Sequence, residues 1–136
     1  WGGTNFIICA SVGGTMDPAA FGISGGWGGT RTTSAFVNKF EDITGATDSR
    51  AMFYTDGQNL EINDVGSFND GYAITKFKNL TRAGAPGSSL TYPDTDFPMF
   101  RLADVYLMYA EAVLRGGAGG DQATAIGYIN ELRERA

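Results

Sequence analysis

Met99-Phe100-Arg101-Leu102-Ala103-Asp104-Val105-Tyr106-Leu107-Met108-Tyr109-Ala110-Glu111-Ala112-Val113-Leu114-Arg115 is followed by Gly116-Gly117-Ala118-Gly119-Gly120 and then by a second patterned run, Asp121–Ala136. This stretch decides the fold. At about 100° per residue, Arg101, Asp104, Met108, Glu111 and Arg115 share an arc of roughly 80°. Leu102, Ala103, Val105, Tyr106, Leu107, Tyr109, Ala110, Val113 and Leu114 take roughly 220° of the remainder. A helix on a protein surface does not need so wide an apolar face, so this one is expected to pack on at least two sides. Pro98 fits its first turn, where the missing N–H costs nothing. The glycine run breaks it, and Asp121 is a candidate N-cap for the next helix. In that second helix Ala125, Ile129, Leu132 and Ala136 line one face, with Ile126 and Tyr128 at its edges. Glu131 and Arg135 stand four apart on the polar side and can pair weakly. The short linker makes the two helices an antiparallel αα-hairpin, expected over about Pro98–Arg115 and Asp121–Ala136. One such hairpin cannot bury its apolar faces alone and asks for neighbours, as in helical-repeat arrays.

Upstream the character differs. Nine of the 20 glycines fall within the first 29 residues, and glycine enters φ > 0 without strain, so loops and tight turns are expected there. Asn5–Ser11 reads as a short strand on its apolar run Phe6-Ile7-Ile8-Cys9. Residues 12–30 read as loop. Thr33 or Ser34 can cap a short helix carrying Phe36, Val37 and Phe40. Arg50–Thr55 and Tyr72–Lys78 read as the strands of a β-hairpin, separated by the turn formers Asp56-Gly57 and Asp70-Gly71. Thr81–Thr95 reads as loop. The division expected is therefore 1–95, a Gly-rich irregular and β part that binds ligand, and 96–136, a helical hairpin, both belonging to one larger domain.

Composition removes several functions. A phosphate-backbone binder needs clustered Lys and Arg. With a net charge of −5 and no such cluster, nucleic acid is excluded as a partner. No run of 18 or more apolar residues exists, so no helix spans a bilayer. With no His and one Cys, the chain has neither an internal disulfide, nor a Cys/His metal site, nor a Cys/His or Ser/His nucleophile. Cys9 lacks the preceding basic region of a lipidation signal and reads as a small buried hydrophobe. Gly25-Gly26-Trp27-Gly28-Gly29-Thr30 has no following Lys and is not a phosphate loop. Neither Asp-Gly turn carries the alternating ligands of a calcium loop. No cofactor is implied. Asn79-Leu80-Thr81 is a formal glycosylation sequon.

The segment from Phe97-Pro98-Met99-Phe100-Arg101-Leu102-Ala103-Asp104 through Tyr109-Ala110-Glu111-Ala112, the glycine break, and Ala125 through Leu132-Arg133-Glu134-Arg135-Ala136 closely resembles the SusD/RagB family. Gly26-Trp27-Gly28-Gly29, Phe36-Val37, Phe40-Glu41, Asp48-Ser49-Arg50 and Lys76-Phe77 agree more loosely. The resemblance implies a predominantly α parent built of tetratricopeptide-like helical hairpins, of which this chain is a mixed, loop-rich piece: a β-hairpin region followed by the antiparallel αα-hairpin. It implies nutrient uptake in a Bacteroidetes-type bacterium and a lipid anchor that holds the parent, surface-exposed, at the cell outer membrane. It also implies docking over a SusC-like TonB-dependent transporter, with an oligosaccharide or other nutrient as ligand. The chain has no initiator Met and ends uncapped in a helical pattern, which reads as a piece of a longer protein. Anchoring and docking are thus expected of the parent.

The candidate ligand contacts are Trp27, Arg31 and Trp1. Trp27 sits between glycines, and an exposed ring there can stack on the apolar face of a sugar. The competing reading is a Trp that plugs the loop onto the core. Arg31 can hydrogen-bond sugar hydroxyls or simply be solvated. The Pro98, Arg101, Asp104 and Glu111 set reads as a structural motif. Asp104 and Glu111 invite a glycosidase reading, but seven residues along a helix is about 10 Å, at or beyond the long end for an acid/base pair. The nearby arginines also keep both carboxylates ionised. No catalytic residue is expected, and the chain reads as a binding protein rather than an enzyme. A helical-repeat scaffold for another protein is the alternative.

Overall fold

A computed structural model of the chain describes residues 5–136. The chain divides at Phe97/Pro98 into two compact units. In the first, regular elements are few and short. They are α1 (Asn5–Cys9), a single 3₁₀ turn (Pro18–Phe21), α2 (Ser34–Val37), β1 (Phe53–Tyr54) and β2 (Ala73–Ile74). The two strands pair antiparallel, with Phe53 opposite Ile74 and Tyr54 opposite Ala73. The β-hairpin is thus present, but most of the expected strand residues around it are irregular.

The strand expected at Asn5–Ser11 is a helix instead, a correction with a clear cause. A short apolar run suits a strand or a buried helix equally, and periodicity alone cannot separate them. Here Ile8 and Val12 stand four apart and are each 1% exposed. With Cys9, Met16, Phe21, Ile23 and Ala73 they form the core, against which Tyr54 and Phe77 pack. Helical spacing puts Ile8, Cys9 and Val12 on that one face while Phe6 stays outside. Cys9 is buried as expected, and desolvation pushes its thiol pKa up, away from the reactive thiolate.

With so little regular structure, the backbone groups of this unit are satisfied across the loops. Asn79, 3% exposed, donates through Nδ2 to the carbonyls of Gly22 (2.7 Å) and Ser89 (2.8 Å) and accepts from the Asp94 N–H (3.0 Å). One buried amide so joins three segments, and its N–H groups are engaged, which closes the Asn79 sequon to modification in the folded chain. Gly22, at φ 71°, leaves no room for a Cβ against the Asn79 carbonyl. Asp17 caps the 3₁₀ turn by accepting from the Ala19 N–H at 3.0 Å. Thr33 occupies the N-cap of α2 without a side-chain cap bond.

The second unit is α3 (Leu102–Leu114) and α4 (Gln122–Glu134). α3 begins later than Pro98: Arg101 is its N-cap, in extended conformation, and Pro98 lies ahead of the helix. Phe100 is 89% exposed, so no burial offsets the entropy of ordering a further turn. α3 ends in a Schellman motif. Gly116 takes φ 82° and donates to Val113 O, while Gly117 donates to Ala112 O. Asp121 caps α4 as expected, accepting from the Thr124 N–H at 2.9 Å.

The two helices pack antiparallel. Tyr109 Oη accepts from the Asp121 N–H at the linker end (3.1 Å), and one turn back along α3 Tyr106 stacks on Tyr128, with ring centroids 4.1 Å apart and planes 5° apart. Tyr109 meets the edge of Tyr128 at 5.3 Å. Ala110 and Ala125 are buried and allow the close approach. Leu102, Val105, Leu107 and Leu114 remain exposed, so part of the wide apolar face lies open in the helical pair. Among the described residues no helix is long and apolar enough to cross a membrane.

Candidate functional site

Residues 24–31 form a loop pinned along its length. Trp27 N–H donates to Cys9 O (2.6 Å), Gly28 N–H to Val12 O (2.9 Å) and Thr30 N–H to Ala10 O (2.7 Å). These bonds lay the loop against the α1 end and the turn that follows it. The approach requires the glycines: a Cβ on Gly26 would run into the Val12 carbonyl, and Gly28 sits at φ 66°. Trp27, between them, is 59% exposed. It is not a plug in the core. It is a large apolar ring held outside on a fixed backbone.

Beside it runs a groove of about 170 Å³, lined by Gly28, Gly29, Arg31, Ile62, Val65, Ser67, Phe68 and Asp70. Trp27 flanks this groove through its neighbours Gly28 and Gly29 and does not line it. Arg31 does line it, but most of its guanidinium faces the protein. Nε and Nη2 donate to Phe68 O (3.0 and 2.6 Å), and Nη1 donates to Ser11 O (3.0 Å) and Thr30 O (2.9 Å). These bonds engage four of the five guanidinium N–H groups. Partial burial lowers the Arg31 pKa from its ordinary value through desolvation, and it stays a cation at neutral pH.

The far wall is the loop 59–71. Its shape comes from Asp70, whose carboxylate accepts from Asn59 Nδ2 and from the Asn63 and Asp64 N–H groups, each at 2.9 Å. The hydrogen bond from the Asn59 side chain, followed by those from the two backbone amides, holds the Asp70 carboxyl below the usual range. Asn59 and Asp70 also form an isolated parallel bridge. This wall was not legible as functional. Its signal, Phe68 between Ser67 and Asn69-Asp70-Gly71, looks like any turn-rich loop.

The remaining sequence candidates lie apart from this groove in the chain. Trp1 falls outside the described residues. On α3, Glu111 pairs with Arg115 at 2.7 Å, both well exposed, and Asp104 lies in the first turn after the Arg101 cap. Of the stripe, Glu111 is tied to the Arg115 C-cap of the same helix. A second groove of about 270 Å³, lined by Lys78, Asn79, Leu80, Thr81, Gly87, Asp94 and Thr95, has its Asn79 and Asp94 side chains committed to structure. Asn79 holds three backbone groups, and Asp94 accepts from the Ser88 N–H and hydroxyl.

A sequence profile of the SusD family matches residues 30–136. Trp27 therefore lies just ahead of the matched span, and Arg31 just inside it. The chain is also similar to the starch-binding protein SusD of Bacteroides thetaiotaomicron, with 45% identity over 98 residues, 69% of this chain. That alignment covers 17% of the relative, so the chain spans about a sixth of the length of the protein it matches. With most of its length inside the family profile, and with the helical pair that carries the family's sequence pattern folded as a packed hairpin, the chain belongs to the SusD/RagB family.

Proposed function

We propose that the parent of this chain captures oligosaccharides at the cell surface and passes them to a SusC-like TonB-dependent transporter. In this reading the parent is a lipid-anchored outer-membrane protein and not an enzyme. Residues 1–95 supply ligand contacts, and residues 96–136 are one hairpin of a tetratricopeptide-like scaffold within the same larger domain. The observation that carries the reading is Trp27: a ring 59% exposed on a loop held by three backbone bonds and two glycines. A platform fixed before binding loses little freedom when a sugar stacks on it. The relative's starch binding gives the ligand class, and Trp1 and the remaining N–H of Arg31 are further candidate contacts. Against hydrolysis stands the Asp104/Glu111 geometry: the two lie seven residues apart on one helix, and Glu111 is held by Arg115.

The test is calorimetric titration of the full-length parent with a panel of oligosaccharides, maltooligosaccharides first. Trp27→Ala is expected to weaken binding by about 1–3 kcal/mol, by analogy with aromatic stacking on bases. That is about 5- to 150-fold in Kd. Because the ring is exposed, the melting temperature should hold. Unchanged affinity in the variant, or no binding by any member of the panel, defeats the proposal.

A second reading, a scaffold for another protein, has one observation in its favour: the open apolar side of α3, with Leu102, Val105, Leu107 and Leu114 exposed. It predicts partner binding that is indifferent to Trp27.

A further inference from the structure

We infer that Phe68 is a second ligand-contacting aromatic, adjacent to Trp27 and serving the outer rings of a longer chain, on a loop that Arg31 ties to the Trp27 loop. The inference rests on the glycan reading of Trp27. Phe68 is 52% exposed and lines the groove that begins at Gly28. A methyl group on Gly28 would lie 3.2 Å from Phe68 Cγ and 3.3 Å from Arg31 Nη2, so ring, guanidinium and loop backbone meet at the residue next to Trp27. The ring's backbone is fixed as firmly as that of Trp27. Its carbonyl accepts two Arg31 bonds. Asp70 secures the turn beneath it, and Asn59 N–H donates to Asn69 O at 2.8 Å.

Arg31 therefore bonds at once to the Trp27 loop through Thr30 O, to the segment after α1 through Ser11 O, and to the Phe68 loop. A cation bonded this way to neutral carbonyls makes two aromatic-bearing loops into one wall. Ile62 and Val65, the latter 94% exposed, add apolar lining to the same groove. A short oligosaccharide fits on Trp27 alone. A longer one runs on into the groove and meets Phe68, where aromatic and aliphatic surface suits the apolar faces of successive sugar rings.

The experiment compares maltotriose and maltoheptaose, or the short and long members of whichever series the panel identifies, on the full-length parent. Phe68→Ala should weaken the long ligand about 5-fold or more, leave the short one within about twofold, and keep the melting temperature. Phe68→Tyr should restore the long ligand. Equal loss for both lengths, no loss for either, or a lowered melting temperature without rescue by Tyr overturns the inference. If Trp27→Ala weakens binding while Phe68→Ala does not, the platform stands and this extension falls. If neither matters, or nothing binds, the glycan reading fails with it.

Discussion

The two units of this chain reach order by opposite means. Residues 5–97 contain short helical turns and one two-residue strand pair, and side-chain-to-backbone bonds such as those of Asn79 and Arg31 bind segments distant in sequence. The unit from Pro98 onward is two 13-residue helices, whose hydrogen bonds are local and whose packing is a tyrosine stack with two buried alanines. An irregular unit needs a real core and many specific ties, because no repeating ladder satisfies its backbone. A helical pair satisfies its backbone internally and needs only a seam, yet it leaves much apolar surface outside. Binding surfaces fall naturally to the first kind, where a rigid loop can hold a ring in the open.

The sharpest way to break the contrast is in the core of the first unit. Ile23→Ala, at a site 1% exposed, should cost about 2–5 kcal/mol, read by denaturant titration, with protease susceptibility rising in residues 5–97. The second unit has no equivalent apolar site. Its nearest counterpart is Tyr128, which holds both Tyr106 and Tyr109. Tyr128→Ala should cost about 1–3 kcal/mol, since aromatic pairs add about 0.5–1.5 kcal/mol each to partial burial. Amide exchange should then quicken in α3 and α4 and hold in the first unit.

Acid should separate the units by the size of the effect. Hydrogen bonds depress the carboxyl pKa of Asp42, Asp48, Asp70 and Asp94 in the first unit, and of Asp121 in the second. Asp42 lies at about 2, chiefly through the bonds it accepts from the Thr44 side chain and backbone. A depressed folded pKa gives stability that is complete above the unfolded value of about 3.9 and is lost as pH falls through the folded one. Loss should therefore run from about pH 4 down to about pH 2 and fall mainly on the first unit. Asp42→Asn should flatten that slope in a melting-temperature series. The least effect belongs to Glu111→Gln. Its pair with Arg115 is exposed at both ends, so the change should stay under about 0.5 kcal/mol. A larger one would mean the stripe is tied to something outside the hairpin.

The helical pair was legible in the residues. The spacing of Leu102 to Leu114, the glycine break and the Asp121 cap are local signals, and local hydrogen bonding makes them sufficient. The chain start of α3 was misplaced because Pro98 permits a first turn without requiring one. The β-hairpin was placed by its turn formers but overextended, since strand length depends on partners. In the first unit the sequence by itself determined that there would be loops and glycine turns, that Cys9 would be buried, and that Trp27 would sit between glycines. Tertiary structure alone decided that Asn5–Cys9 is a helix, because only its burial against Ile23 and Ala73 separates the two uses of an apolar run. It alone decided that Trp27 faces out, and that Arg31 spans three segments up to 37 residues away. Contacts of that kind carry no period and no spacing. They exist only once the chain has brought distant carbonyls within reach of one guanidinium.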